Sequence, residues 1–104
     1  YIHAGGKIGA IVEVNCETDF VARTDGFKEL VHNLSMQIAA MAPLYVDESD
    51  PGFDDSQDAE QICLIKQNFI KDPSKNIETL VNEAVGKLGE NIRIRRFSRF
   101  ALGE

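Results

Sequence analysis

The run Ile8-Gly9-Ala10-Ile11-Val12-Glu13-Val14 puts Ile8, Ala10, Val12 and Val14 on one side of an extended chain and Gly9, Ile11 and Glu13 on the other. That is the period of a strand with one well-buried face. The stretch that follows, Asn15-Cys16-Glu17-Thr18-Asp19-Phe20-Val21-Ala22-Arg23, has helix-starting chemistry instead. Thr18 is a good N-cap, because its hydroxyl can accept a free N–H two or three residues on. Asp19 then stands in the first turn, where the helix dipole favours a carboxylate. The chain must therefore turn from strand to helix within a few residues, and the rest of the fold has to be built around that corner. Phe20 falls at the helix tip, beside a charge, before a packed interior is normally reached. Two readings are open for it: a staple folded back on its own core, or an aromatic plug presented to another protein.

Ahead of this corner, Tyr1-Ile2-His3 reads as a short strand and Ala4-Gly5-Gly6-Lys7 as a tight turn, since paired glycines supply the positive φ that hairpins need. Residues 1–14 are thus expected as a hairpin, with His3 a half-exposed strand residue or a partner contact. Behind it, Thr24-Asp25-Gly26 reads as a break and a new start near Asp25. Phe27, Leu30, Val31, Leu34, Ile38 and Met41 then keep helical spacing. Pro43 ends that helix, because the residue before a proline avoids the helical basin. His32 lies beside the stripe.

Residues 43–58 read as the least ordered part. Leu44-Tyr45-Val46 fits a brief extended piece. Asp47, Glu48, Asp50, Asp54, Asp55 and Asp58 surround Pro51-Gly52, and a loop of like charge is expected to repel itself and extend. EF-hand spacing is absent from it. Residues 59–66 read as a short helix with Ile62, Cys63 and Ile65 inward, and residues 67–76 as a connecting segment. Asn76 can cap a further helix with Ile77, Leu80, Val81, Ala84 and Leu88 buried, and Gly89 is a fitting stop. Residues 91–102 close the chain as a strand. Ile92, Ile94, Phe100 and Leu102 share one parity, and Arg93, Arg95, Phe97 and Arg99 the other. Arg96 and Ser98 fall on the apolar parity, so a bulge is expected near them.

These elements predict an α+β domain of two layers: a three-stranded antiparallel sheet with helices packed on one face. The 104 residues fit one domain with a modest core. The formal charge of −6 argues against bulk attraction to nucleic acid or an anionic membrane. Two cysteines, Cys16 and Cys63, suit a reducing compartment. With two separated histidines they are too few for a zinc site. No run is long enough to span a bilayer as a helix. The absence of an initial Met points to a processed, trimmed or partial product. No phosphate loop, metal spacing or nucleophile-base arrangement appears, so neither an enzyme nor a cofactor is expected.

The segment Val14-Asn15-Cys16-Glu17-Thr18-Asp19-Phe20-Val21-Ala22-Arg23 resembles the central signature of the elongation factor Ts family. Tyr1-Ile2-His3 with Gly5-Gly6-Lys7-Ile8-Gly9 is similar to the segment before that signature. Phe69-Ile70-Lys71-Asp72, Leu88-Gly89-Glu90-Asn91-Ile92 and Arg95-Arg96-Phe97-Ser98-Arg99-Phe100 are similar to the closing segments. The resemblance spans nearly the whole chain in family order.

It implies a core, or dimerisation, domain over residues 1–104, of the two-layer α+β kind, without the small helical module that usually precedes it. Many members carry a longer helical insertion where residues 43–58 lie. The implied function is guanine-nucleotide exchange on elongation factor Tu during translation, in its GDP-bound and nucleotide-free forms. Asp19 and Phe20 would be the intruding pair, Thr18 their cap, and Val21, Arg23 and His3 further contacts. No metal or cofactor, membrane or direct nucleic-acid contact is implied, and the site of action would be cytoplasm or an organelle matrix or stroma.

A competing reading from the residues alone is RNA binding, with Arg93, Arg95, Arg96 and Arg99 on phosphates and Phe97 stacking a base. Apolar residues of both parities also suggest that the sheet's second face is covered. Ile11, Phe97 and Ala101 are the candidates for an interface between two copies, as single-subdomain family members pair.

Overall fold

The computed structural model describes residues 1–103. Strand β1 (Ile8–Asn15) leads through the corner into a four-residue helix α1 (Asp19–Ala22) and the long α2 (Asp25–Met41). A loop of turns reaches α3 (Ala59–Ile62) and a 3-10 turn (Leu64–Lys66). Strands β2 (Asn68–Phe69) and β3 (Asp72–Asn76) precede α4 (Ile77–Leu88), and β4 (Arg93–Ala101) closes the chain.

Among the described residues the expected three-stranded sheet is not formed; there are instead two two-stranded antiparallel sheets, β1 with β4 and β2 with β3. The N-terminal segment lies along the free edge of β1 through a single bridge, Ile2 to Gly9. It is held by Ala10 N–H to Tyr1 O and His3 N–H to Ile8 O, both 2.9 Å. Gly5 and Gly6 turn the chain from this segment into β1 at φ +94° and +69°. Residues 67–76, expected as a plain connection, instead contain the second hairpin, with Phe69 opposite Asp72.

Its stability is non-local. Gln37, wholly buried on α2, donates from Nε2 to Asn68 O at 3.0 Å and to Gln67 Oε1 at 3.2 Å. Its Oε1 accepts the N–H of the turn residue Ile70 at 3.0 Å. Gln67 is buried too, and donates to Gln61 O at 2.7 Å. Every one of these contacts satisfies a polar group that has left water.

The core lies between α2 and the inner face of β1, with α4 and the 3-10 turn closing it. Leu34, Ile38, Leu64 and Ile77 are sealed at its centre, with Phe27, Leu30, Phe69, Ile92 and Ile94 around them. Met41, expected in the buried stripe, is exposed. It belongs to the last turn, beyond which Ala42 takes a left-handed conformation at φ +48° before buried Pro43.

The β1–β4 register holds the main surprise. Glu13 faces Arg96 and Val14 faces Ile94, so Arg95 is an extra residue in β4. A bulge of this kind flips every side chain beyond it to the other face. Ile92 and Ile94 point inward before it. After it, Phe97 opposite Val12 and Ala101 opposite Ile8 join the inner face, with Phe97 packed on the core. Arg99 follows them, donating from Nε to Ala39 O of α2 at 3.1 Å. Ile11 and Phe97, expected to share the outer face, therefore lie on opposite faces. The outer face carries Ile11 and Phe100, 68% and 69% exposed, with Ile2 and Leu102 also bare.

The acidic loop is not simply extended. Asp47 accepts from the N–H and hydroxyl of Ser49, Asp50 from Gly52 N–H, and Asp54 from Ser56 N–H, Ser56 hydroxyl and Gln57. Asp58 caps α3 through Glu60 N–H. Asp47, Asp50, Asp54 and Asp58 each fold a local turn, an option that competes with mutual repulsion.

Candidate functional site

The corner after β1 is built from its backbone outward. Thr18 is extended at φ −132°, ψ 153°, and its Oγ1 accepts Val21 N–H at 3.3 Å, as a helix N-cap should. Asp19 occupies the first turn. Phe20 is 81% exposed, while Val21, one residue on, is 5% exposed and sits in the core. Of the two readings for Phe20, the staple is not what the structure has. Arg23 ends α1, its N–H bonded to Asp19 O at 3.2 Å, and Thr24 at once recaps α2 through Phe27 N–H at 3.2 Å. Two caps six residues apart thus make a short, stiff spur.

The spur is tied down from across the molecule. Gly89 stops α4 in the left-handed region at φ +75°, which aims the next residue back toward the corner. Glu90 Oε1 accepts the N–H groups of Glu17 and Thr18, both at 3.0 Å, and its Oε2 accepts the Thr18 hydroxyl at 2.6 Å. In return, Glu17 Oε2 accepts Asn91 N–H at 2.7 Å. Cys16 adds a weaker bond from Sγ to Thr18 O at 3.3 Å. Sequence reading missed Glu17 and Glu90 as a pair. They stand far apart in the chain, and only the glycine stop before Glu90 hints at where its side chain goes.

Thr18, Asp19, Phe20, Val21 and Arg23 are brought together on this spur. His3 is not with them. It pairs beside Ile8 at the start of β1, whereas the spur follows Asn15 at its end, roughly 20 Å away along an eight-residue strand. The Tyr1 hydroxyl lies 3.3 Å from His3 Nδ1, and the Tyr1 ring meets His32 of α2 edge-on at 5.7 Å.

The arginine strand is not a continuous cationic stripe. Because of the bulge, Arg95 and Arg96 both reach Glu13, at 3.2 and 3.0 Å, and Arg99 is turned toward α2. Cys63 is sealed in the interior, and burial, more than the nearby Glu48 carboxylate, raises its thiol pKa. Among the described residues there is no group of three His, Cys, Asp or Glu able to hold a metal ion, and no helix is long and apolar enough to cross a membrane.

The family model described as elongation factor TS matches residues 1–52, which contain the edge segment, β1, the spur and α2. The chain belongs to the elongation factor Ts family. Elongation factor Ts of Geotalea daltonii is 43% identical over 134 aligned positions, covering all of this chain and 62% of the relative. That of Anaeromyxobacter sp. strain Fw109-5 is 44% identical, with 61% of the relative covered. That of Thermotoga maritima is 41% identical over 132 positions, with 66% covered. The chain thus spans a little over three fifths of the length of these elongation factor Ts relatives. Their alignments are longer than its 104 residues, so they carry inserted residues within the matched span.

Proposed function

We propose that this chain is the core of a guanine-nucleotide exchange factor for elongation factor Tu, and that the Thr18-Asp19-Phe20 spur is the part that enters the GTPase. The observation that carries the reading is the exposed ring of Phe20 on a doubly capped helical turn whose next residue is anchored in the core. A large aromatic held rigidly in water can give its apolar surface to a partner at little cost in ordering.

Exchange needs no covalent chemistry. A nucleotide and its magnesium ion sit in a preformed loop of the GTPase, and the factor acts by binding the open form better than the loaded one. The coupling is reciprocal, so the incoming nucleotide expels the factor. In this reading Phe20 wedges between elements that shape the magnesium site, and Asp19 supplies polar contacts. Val21 and Thr18 keep the wedge in place, and Arg23 flanks it. The test is release of labelled GDP from elongation factor Tu with wild-type chain, with Phe20→Ala and with no factor. Equal rates for the first two would overturn it.

A second proposal concerns pairing of two copies through the outer face of the β1–β4 sheet. It rests on Ile2, Ile11, Phe100 and Leu102 lying bare beside one another there rather than scattered singly. The RNA reading has less behind it, since Glu13 engages Arg95 and Arg96, and Arg99 faces the protein interior.

A further inference from the structure

We infer that Glu90 is a positioning residue for the exchange spur, setting the direction in which Phe20 is presented. This rests on the proposed role of that spur and assigns a task to a residue outside it. The geometry is specific. One carboxylate receives three donors, all from the two residues that immediately precede Asp19 and Phe20. Hydrogen bonds to an ionised acceptor are the strong and directional kind.

The third donor ties the cap to the same carboxylate. The Thr18 hydroxyl has a single proton and gives it to Glu90 Oε2, leaving an oxygen lone pair for Val21 N–H. Glu90 therefore orients the cap itself, and the cap fixes the first turn on which Phe20 stands. Glu17, bonded to Asn91 N–H, locks the same two segments from the other side. The linkage runs from the C-terminal end of α4, just behind Gly89, to the end of β1, and so references the spur to the body of the fold rather than to its own loop. Sites of this kind lose much of their effect when a supporting contact lets them drift by an ångström or so.

Three substitutions separate charge from reach. Glu90→Ala removes every acceptor. Glu90→Asp keeps the charge but withdraws it by one methylene. Glu90→Gln keeps an oxygen in place for the two backbone donors and gives up only the acceptor of the Thr18 hydroxyl. GDP release from elongation factor Tu, measured at saturating factor, is expected to slow about tenfold for Ala and Asp and less than about threefold for Gln. Amide exchange of Glu17 and Thr18 is expected to speed up in Ala and Asp and not in Gln.

The double variant Phe20→Ala, Glu90→Ala is expected to be no slower than Phe20→Ala alone, because Glu90 acts through Phe20. Full activity in both Glu90→Ala and Glu90→Asp overturns the inference, as does a double variant slower than Phe20→Ala by the full Glu90→Ala factor. A Phe20→Ala variant with wild-type activity overturns the spur reading instead, so the two failures are distinguishable. Should Glu90→Ala not fold, the Asp and Gln pair carries the same comparison.

Discussion

Phe20 and Val21 are consecutive residues on one helical turn, yet one ring is 81% exposed and the other side chain only 5%. The turn is fastened by Val21 and displays Phe20. Truncating the two should therefore have opposite consequences. Phe20→Ala is expected to slow GDP release from elongation factor Tu at least about tenfold, equivalent to ~1.4 kcal/mol, with the melting temperature nearly unchanged. Val21→Ala removes buried methyl groups and is expected to cost about 2 kcal/mol of stability. Paired melting and exchange measurements check both, and a melting temperature that falls with Phe20→Ala as far as with Val21→Ala would assign Phe20 to the fold alone.

Thr18 joins the cap to the Glu90 clamp through one hydroxyl. Thr18→Ala is expected to cost roughly 1 kcal/mol and to weaken exchange by loosening Asp19 and Phe20. Thr18→Ser keeps the hydroxyl and is expected to be nearly silent in both assays. If Ser proved as damaging as Ala, the methyl group would matter and the capping account would fail.

Local chemistry made the helix ends legible. Thr18 and Asn76 cap as their residue types suggest, and Gly89 stops α4 in the left-handed region. The buried stripe of α2 follows from spacing, apart from exposed Met41 and half-buried Val31, whereas in α4 Ile77 alone is fully buried and Leu80, Val81, Ala84 and Leu88 are half-buried against the core. What escaped was set by contacts distant in sequence. The β2–β3 hairpin is mostly polar apart from buried Phe69 and contains Pro73, so its residues do not announce a strand pair. It exists because Gln37, on another element, satisfies its turn. A bulge near Arg96 was readable from the parity conflict. Its consequence, that Phe97 and Ala101 change faces, depends on which residue is extra, and the partner strand decides that. The spur's own residues were visible in the sequence, but the Glu90 clamp that holds them was not.

Gln37 offers a test of that non-local account. Gln37→Leu keeps volume but strands Ile70 N–H and Asn68 O near the core, each without its partner. The expected loss is about 2 kcal/mol, with amide exchange at Ile70 accelerated. A Leu variant as stable as wild type would mean that water replaces the glutamine and that the hairpin does not depend on it.

Cys63 gives the fold an alkaline limit. Burial raises its thiol pKa from the ordinary 9.0, so the folded state holds this proton more tightly than the unfolded chain does. That contribution is fully present below the ordinary thiol pKa and is lost as pH rises through it toward the raised folded value. Lys66, raised by its bond to Glu48, shifts stability in the same direction. Urea midpoints are expected to fall between about pH 8 and pH 10, and to fall less in Cys63→Ala. Equal falls in the two proteins would remove the thiol from the explanation. Alkylation of Cys63 in the native protein is expected to be slow for the same reason, since the thiolate is the reactive form.

The outer sheet face is expected to pair two copies of the chain. Ile11 stands opposite Ser98 on this face, and Phe100 stands opposite Gly9, so their side chains meet no large neighbour across the ladder. Ile2 closes over Gly9 from the free edge, its Cδ1 within 3.1 Å of where a Cβ on that glycine would lie. Two such faces brought together about a two-fold axis would bury Ile2, Ile11, Phe100 and Leu102 of each copy. Ile11→Asp with Phe100→Asp is expected to yield a folded monomer, since neither side chain contributes to the protein's own core. Phe97→Asp, on the inner face, is expected to unfold the protein instead. Sedimentation and melting of the three proteins check this together. A wild type that stays monomeric at tens of micromolar, or an outer-face double variant that remains dimeric, would leave these four side chains without a second copy to cover them.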